Sequence, residues 1–198
     1  MAIMKYRAGL GYQFVALKQS DMAPGEGKLT ASYFYWECNI QPTESGRTYR
    51  VLIFYGGDYI PRAFVLSPNL QELAEGKEIP HLYNQEKGYL CLYHPISGEW
   101  NASMSIANDF VPWIYMWLMF FEYWLLLGEW YGGGVHPPSQ NRSITSKKRK
   151  WAKRRKESTT PIKEKAYKVY ANRLKAYEPS EKPYPRPPLY RCLSPEST

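Results

Sequence analysis

Cysteine and histidine are scarce in this chain, which carries three of each among 198 residues. The cysteines, Cys38, Cys91 and Cys192, are too few and too widely separated to form a disulfide framework. Neither a Cys-x-x-Cys pair nor a cluster of Cys and His at metal-ligand spacing occurs. We therefore expect no structural zinc site and no other bound metal.

Targeting and nucleotide-binding signals are missing as well. The opening residues MAIMKYRAGLGYQ contain no continuous apolar segment of the kind that a signal peptide needs, so we expect a reducing, cytoplasmic location. Gly132-Gly133-Gly134 follows a predicted helix and lacks the lysine of a phosphate-binding loop. The sequence thus predicts no bound cofactor.

Acidic residues are outnumbered, since 18 Asp and Glu oppose 26 Lys and Arg. The imbalance is confined to one part of the chain: residues 141–198 carry 17 Lys and Arg against 5 Asp and Glu, and residues 1–140 carry 9 against 13. Any attraction to nucleic acid or to an acidic partner therefore belongs to the C-terminal part. Trp151 lies inside its densest basic run, KKRKWAKRRK, where it would be able to stack on a base.

Hydrophobic residues make up 44% of the chain and aromatic residues 16%, enough for a packed core. Residues 1–27 allow a short helix and end in a predicted turn at residues 23–27. Apolar residues alternate in SYFYWECNI and TYRVLIFY as on strands with one buried face, and AFVLSP and GYLCLY predict two further strands. The short turns between them favour an α+β fold in which an antiparallel strand meander packs on helices.

One long hydrophobic run, FVPWIYMWLMFFEYWLLLG at residues 110–128, is close to the length needed to cross a membrane. Pro112 and Glu122 interrupt it, and its Trp and Tyr residues are spread along it instead of gathering at the two ends. We therefore expect a helix buried against the sheet, with Asp109 as N-cap and Gly128 at its end, and no membrane association.

The C-terminal part begins after glycines and prolines at residues 132–138. A second helix is predicted to start at Pro161 and to stop before Pro179. Its apolar residues recur at three- and four-residue spacing and would be able to dock on a partner: Tyr167, Tyr170, Leu174 and Tyr177. The proline-rich remainder is predicted to be extended.

The segment HLYNQEKGYLCLYHPISGEWNASMSIAND, residues 81–109, joins a His-led triplet, a turn, a cysteine between leucines, Trp100 and an apolar helix. This order resembles the active-site segment of the ubiquitin-conjugating enzymes, over roughly residues 28–137. Residues 1–27 would then be an N-terminal segment and residues 138–198 a basic extension. Within the family, CLYHPISGEWN and GEWYGGG are most similar to the bacterial conjugating-enzyme-like proteins of antiphage operons that make cyclic oligonucleotide signals.

The resemblance implies that Cys91 forms a thioester with the C-terminus of a protein partner, in those operons a cyclic-nucleotide synthase, and passes the acyl group to an amine. In the family an asparagine of the triplet stabilises the tetrahedral oxyanion. Tyr83 occupies that position here and Asn84 follows it, so the candidates for donor or base are Tyr83, Asn84, His81 and His94. An activating enzyme, or a substrate that forms the thioester unaided, is expected in trans.

Other interpretations stay open. Cys91 between leucines would also suit a small core residue, and the domain would then be a non-catalytic scaffold. A cysteine protease would need a histidine held against Cys91. Alternatively, the basic tail makes the chain a nucleic-acid-binding protein whose affinity falls with salt. Cys38 is in phase with Phe34 and Trp36 and is expected in the core, whereas Cys192 is expected to be exposed.

Overall fold

The structure is a computed structural model that describes residues 8–94, 98–133 and 161–176. Its six strands form one antiparallel sheet in the order β1-β2-β3-β4-β6-β5. The elements in chain order are α1 (Leu10–Lys18), β1 (Gly25–Leu29), β2 (Tyr33–Ile40), β3 (Tyr49–Gly56), β4 (Arg62–Ser67), α2 (Leu70–Leu73), β5 (Leu82–Asn84), β6 (Tyr89–Leu90), a π-helical segment (Ile106–Phe110), α3 (Val111–Leu127) and α4 (Pro161–Lys175). The predicted α+β fold, an antiparallel meander packed on helices, is confirmed.

The two long central strands, β2 and β3, face the core with the residues that the alternation predicts. One side of each strand packs in a single cluster with α1 and α3, and that side comprises Phe34, Trp36, Cys38, Ile40, Tyr49, Val51, Ile53 and Tyr55. On β3 the opposite side is buried too, because Leu52 and Phe54 belong to a second cluster. The sheet is therefore covered on both faces.

The turn predicted at residues 23–27 is wrong in part, because strand β1 begins at Gly25. Gly25 and Gly27 lie so close to β2 that an added Cβ would stand 1.9 Å from the carbonyl oxygen of Glu37 and 2.1 Å from that of Tyr35. Glycine, which reads as a turn signal in the sequence, here permits close pairing of an edge strand. The strand predicted at residues 88–93 is also shorter than expected, since only Tyr89–Leu90 pairs with its neighbours.

Helix α3 is the long apolar run, and it packs on the sheet through Val111, Ile114, Trp117, Leu118 and Phe121. Glu122, which interrupts the run, accepts hydrogen bonds from the Arg47 main-chain N–H at 2.8 Å and from the Tyr49 hydroxyl at 3.0 Å. In the described part of the chain, Ile106–Leu127 is the one helical segment long and apolar enough to span a membrane. Core helices of soluble proteins meet the same criterion.

The start of this helical segment differs from the prediction that Asp109 is its N-cap. Ser105 is the cap: its hydroxyl accepts from the main-chain N–H of Asn108 at 3.2 Å. Asp109 reaches back and accepts from the main-chain N–H of Ser105 at 2.7 Å, which completes a reciprocal capping arrangement. The predicted end is confirmed, because Gly128 adopts the left-handed conformation with φ 76°.

Helix α4 covers the second face of the sheet. Its buried residues, Ala166, Val169 and Tyr170, pack in one cluster with Leu52, Phe54, Phe64, Leu66 and Tyr89. The predicted helix is present, and Pro161 is its first described residue; Tyr167 and Tyr170 pack on the chain's own sheet. Tyr177, the stop at Pro179, the basic run around Trp151 and Cys192 lie outside the described residues.

Candidate active site around Cys91

Cys91 directly follows β6 and is partly exposed. Its main-chain N–H donates to the carbonyl oxygen of His81 at 3.0 Å. One residue earlier, Leu90 is paired with Leu82 across the β5–β6 ladder. This antiparallel pairing brings the triplet that begins at His81 next to the cysteine.

Cys38 provides the contrast, because only 3% of it is exposed. Burial, with a smaller effect of the Glu37 charge, raises the pKa of the Cys38 thiol to about 12. Such a thiol is protonated at neutral pH and is a poor nucleophile. The prediction that Cys38 belongs to the core is confirmed, and of the two cysteines in the described residues Cys91 is the one that solvent reaches.

Tyr83 is the predicted site residue that the structure brings against Cys91. The hydroxyl of Tyr83 lies close enough to the Cys91 thiol for the two groups to interact electrostatically. The Tyr83 hydroxyl also donates to the carbonyl oxygen of Tyr93 at 2.9 Å. Burial, followed by the interaction with the neighbouring Cys91, holds the pKa of Tyr83 well above its usual value. The phenol therefore keeps its proton at neutral pH and can act as a donor.

A tyrosine hydroxyl carries one proton and can also accept a hydrogen bond. While Cys91 is a thiol, its S–H can point towards the Tyr83 oxygen. The Tyr83 hydroxyl then keeps its own hydrogen bond to the Tyr93 carbonyl. Once Cys91 is a thiolate, the Tyr83 proton can turn towards the sulfur instead. The Tyr83 hydroxyl and the Tyr93 carbonyl can therefore accommodate Cys91 both as a thiol and as a thiolate.

His81 contributes to the site through its backbone. Its carbonyl oxygen accepts from the Cys91 N–H and, at 2.9 Å, from the indole N–H of Trp117. The residue has φ 52°, a conformation that L-residues rarely adopt. Its side chain is 6% exposed and stacks on Trp130, with ring centroids 5.2 Å apart. The imidazole is therefore enclosed, and the backbone fixes the position of the cysteine.

Asn84 and His94 have different places. The carboxamide oxygen of Asn84 accepts from the main-chain N–H of Lys87 at 2.8 Å, inside the turn between β5 and β6. His94 is exposed, and its main-chain N–H donates to Glu99 at 2.7 Å. Asn84 thus stabilises the turn, and His94 is exposed to solvent.

Several contacts around Cys91 left no signal in the sequence. Tyr89 packs against Tyr83 at a centroid distance of 5.0 Å, and Phe64 stacks on Tyr89 at 4.8 Å. The Tyr93 carbonyl is a backbone acceptor, which residue type does not reveal. In residues 8–94, 98–133 and 161–176, no three side chains of His, Cys, Asp or Glu are grouped as metal ligands would be.

Residues 13–137 match a protein-family model described as type II CBASS E2 protein. The matched region begins inside α1 and ends beyond α3, so it includes all six strands and every residue of the Cys91 site. Helix α4 lies outside it. A search of curated proteins finds no match.

Proposed function

The chain belongs to the family of type II CBASS E2 proteins, and on that premise we propose that it is a cysteine-dependent acyltransferase with Cys91 as its nucleophile. Membership of the family confirms the predicted resemblance and gives the chain an E2-like role in CBASS antiphage signalling, with a protein partner from the same operon. The thioester chemistry, the identity of that partner and a cytoplasmic location, where a thiol stays reduced, are parts of the proposal.

The observation that carries the proposal is the position of the Tyr83 hydroxyl beside a partly exposed Cys91, fixed by the pairing of Leu82 with Leu90 and by the bond from Tyr83 to the Tyr93 carbonyl. A donor placed on the sulfur favours the thiolate over the thiol. The thiolate is the form that attacks a carbonyl carbon. The buried Cys38, by contrast, directs its thiol at the main-chain carbonyl oxygen of Val51, at 4.0 Å.

In the first step, the Cys91 thiolate attacks the activated C-terminal carbonyl carbon of the protein partner. The bond to the activating group breaks, that group leaves with its electron pair, and a thioester remains on Cys91. The chain has no nucleotide fingerprint, so the carboxyl group is activated in trans, by an activating enzyme or within the partner itself. By family resemblance the partner is a cyclic-nucleotide synthase.

In the second step, an amine attacks the thioester and a tetrahedral oxyanion forms. We assign its stabilisation to the Tyr83 hydroxyl, which occupies the position of the family's asparagine. The amine gives its proton to the exposed His94 or to water. Collapse of the intermediate forms an amide and expels the Cys91 thiolate. His81 keeps a positioning role, because its ring is enclosed by Trp130.

The decisive experiment is intact-mass measurement of the protein purified, without reductant, from cells that express its genomic neighbours. The native protein should carry an adduct that dithiothreitol removes. Cys91→Ser should retain it as an ester that resists dithiothreitol, and Cys91→Ala should carry none. Cys38→Ala is the matched control and should behave as the native protein does, since Cys38 is buried.

Two results would refute the proposal. The first is an adduct that survives in Cys91→Ala. The second is the absence of any adduct from the native protein and from Cys91→Ser while the neighbours are shown to be present. Either would leave Cys91 as a packing residue of a non-catalytic scaffold.

A further inference from the structure

We propose that α4 is a positioning element of the Cys91 site, because Tyr167 on this helix holds Tyr83 in place through the ring of Tyr89. This inference rests on the proposed role of Cys91 and Tyr83. It adds to that role a segment outside the region that matches the family.

A continuous path of ring contacts joins α4 to the cysteine. The rings of Tyr167 and Tyr89 meet edge to face with centroids 6.3 Å apart. Tyr89 contacts Tyr83 at 5.0 Å, and the pairing of Leu82 with Leu90 sets Tyr83 beside Cys91. Phe64 lies under the path, in contact with Tyr89 at 4.8 Å and with Tyr167 at 6.1 Å. A displacement of α4 therefore reaches Tyr83 through rings in direct contact.

The strands that carry Tyr83 and Cys91 depend on such support because their own pairing is sparse. Strand β5 has three residues and β6 has two. A single pair, Phe64 with Tyr89, joins β6 to β4. Because few ladder hydrogen bonds hold these strands, side-chain packing has to fix the position of the Tyr83 ring.

The turn between these strands is also tied to α4. The ammonium group of Lys87 lies 5.3 Å from the ring centroid of Tyr167. Tyr167 thus contacts both β6, through Tyr89, and the turn that leads into it. A cation near an aromatic face adds a modest attraction at a half-exposed site.

The helix itself is firmly held, so it can serve as a fixed support. Arg173 pairs with Glu37, which is 5% exposed and also pairs with Arg50. The same guanidinium lies 5.6 Å from the ring centroid of Tyr35. Ala166 is fully buried near the middle of the helix. These contacts hold the helix on both sides of Tyr167.

The test is the rate at which iodoacetamide alkylates Cys91, measured against pH by peptide mapping of the full chain in a Cys192→Ser background. Tyr83→Phe removes the donor and should raise the pKa of Cys91 by about one pH unit, which is tenfold less thiolate at neutral pH. Tyr167→Ala should shift the pKa in the same direction. Tyr167→Phe keeps the ring and should restore the native profile. Leu174→Ala, on the same helix and 39% exposed, is the control and should change nothing.

A double variant separates positioning from a general loss of structure. If α4 acts through Tyr83, adding Tyr167→Ala to Tyr83→Phe should cause no further shift of the Cys91 pKa. The inference would be overturned if Tyr167→Ala shifted the Cys91 pKa equally in the native and Tyr83→Phe backgrounds. It would also be overturned if Tyr167→Ala alone kept the native profile. Tyr167→Leu, which keeps apolar packing without the ring edge, should repeat the result of Tyr167→Ala, and a native profile in that variant would also count against it.

Alkylation needs no partner, so this result is independent of conjugation. If the Cys91 pKa in Tyr167→Ala equals that in the native protein, and the native protein carries a thioester, the inference is refuted and the proposed function stands. A raised Cys91 pKa in Tyr167→Ala, together with no adduct in the co-expression experiment, would support the inference and refute the proposed function.

Discussion

The indole N–H of Trp117 donates to the main-chain carbonyl oxygen of His81 at 2.9 Å. The same oxygen accepts the N–H of Cys91 at 3.0 Å. Helix α3 is thereby bonded directly to the residue that orients the cysteine. Trp117 is 4% exposed, so this bond forms inside the core, where a lost partner is costly.

We expect Trp117→Phe to lower the free energy of unfolding by about 2 kcal/mol, because the variant loses a buried hydrogen bond and leaves a small cavity. Chemical denaturation of the native protein and the variant would measure the difference. Tyr123→Phe on the exposed side of the same helix is the control, with an expected change of less than about 0.5 kcal/mol. Equal, small changes in both would show that the bond to His81 contributes little.

The proposed oxyanion donor predicts different effects for Tyr83→Phe and Asn84→Ala. With the thioester isolated and a small amine added, Tyr83→Phe should slow acyl transfer on the order of a hundredfold, the cost of one missing donor. Asn84→Ala should leave the rate within about threefold, since the Asn84 side chain serves the β5–β6 turn.

Tyr33→Phe is the matched tyrosine control, because Tyr33 packs on the same cluster as Tyr83 but stacks on Phe54. Single-turnover decay of the thioester, followed by mass, gives the rates. The opposite pattern, slow transfer in Asn84→Ala and normal transfer in Tyr83→Phe, would move the donor to Asn84 and contradict the assignment.

Buried tyrosines predict a loss of stability in alkali. Burial is the largest cause that raises the pKa of Tyr49, Tyr83, Tyr89 and Tyr93. In the unfolded chain these groups ionise near pH 10, so their contribution to folding is complete below that pH and is lost progressively above it.

We expect the free energy of unfolding to fall from about pH 10 upwards in urea titrations between pH 8 and 11. Tyr49→Phe removes one such group, so its curve should fall less steeply, by about 1.4 kcal/mol per pH unit well above pH 10. Parallel curves for the native protein and Tyr49→Phe would mean that Tyr49 ionises in the folded state as readily as in the unfolded chain.

Periodic burial is what made β2 and β3 predictable, because side chains of a half-buried strand alternate with period two. Strand β1 has no such pattern, since all five of its residues are exposed, and its glycines suggest a turn. Strands β5 and β6 are too short to show a period. Edge strands and short strands are defined by their neighbours, which local sequence does not contain.

The candidate site, too, was predictable only in part. The spacing of a family motif predicted Cys91 as the nucleophile and left Tyr83, Asn84, His81 and His94 open as its partner, and of these four the structure brings the Tyr83 hydroxyl beside Cys91. The role of the Tyr93 carbonyl was not predictable, because every residue has a carbonyl. The periodicity around Tyr167 predicted a helix but not the surface it covers, since the contact between Tyr167 and Tyr89 joins distant parts of the chain.

The ion pair between Arg173 and Glu37 makes the docking of α4 testable by itself. Glu37 is 5% exposed and pairs with Arg50 as well, so removal of Arg173 leaves the carboxylate with a partner. The side chain of Arg173 is 28% exposed, and solvent screens part of the attraction. We therefore expect Arg173→Ala to cost about 1 kcal/mol, with the loss concentrated in α4.

Hydrogen exchange would measure this effect, because amides of α4 should exchange about fivefold faster in Arg173→Ala while those of β2 and β3 keep their native rates. Lys168→Ala, an exposed position of the same helix, is the control and should leave the exchange of α4 unchanged. Raising the salt concentration should narrow the difference between Arg173→Ala and the native protein, because salt weakens the ion pair that the variant lacks. Native exchange rates in Arg173→Ala at low salt would show that apolar packing alone holds α4 on the sheet.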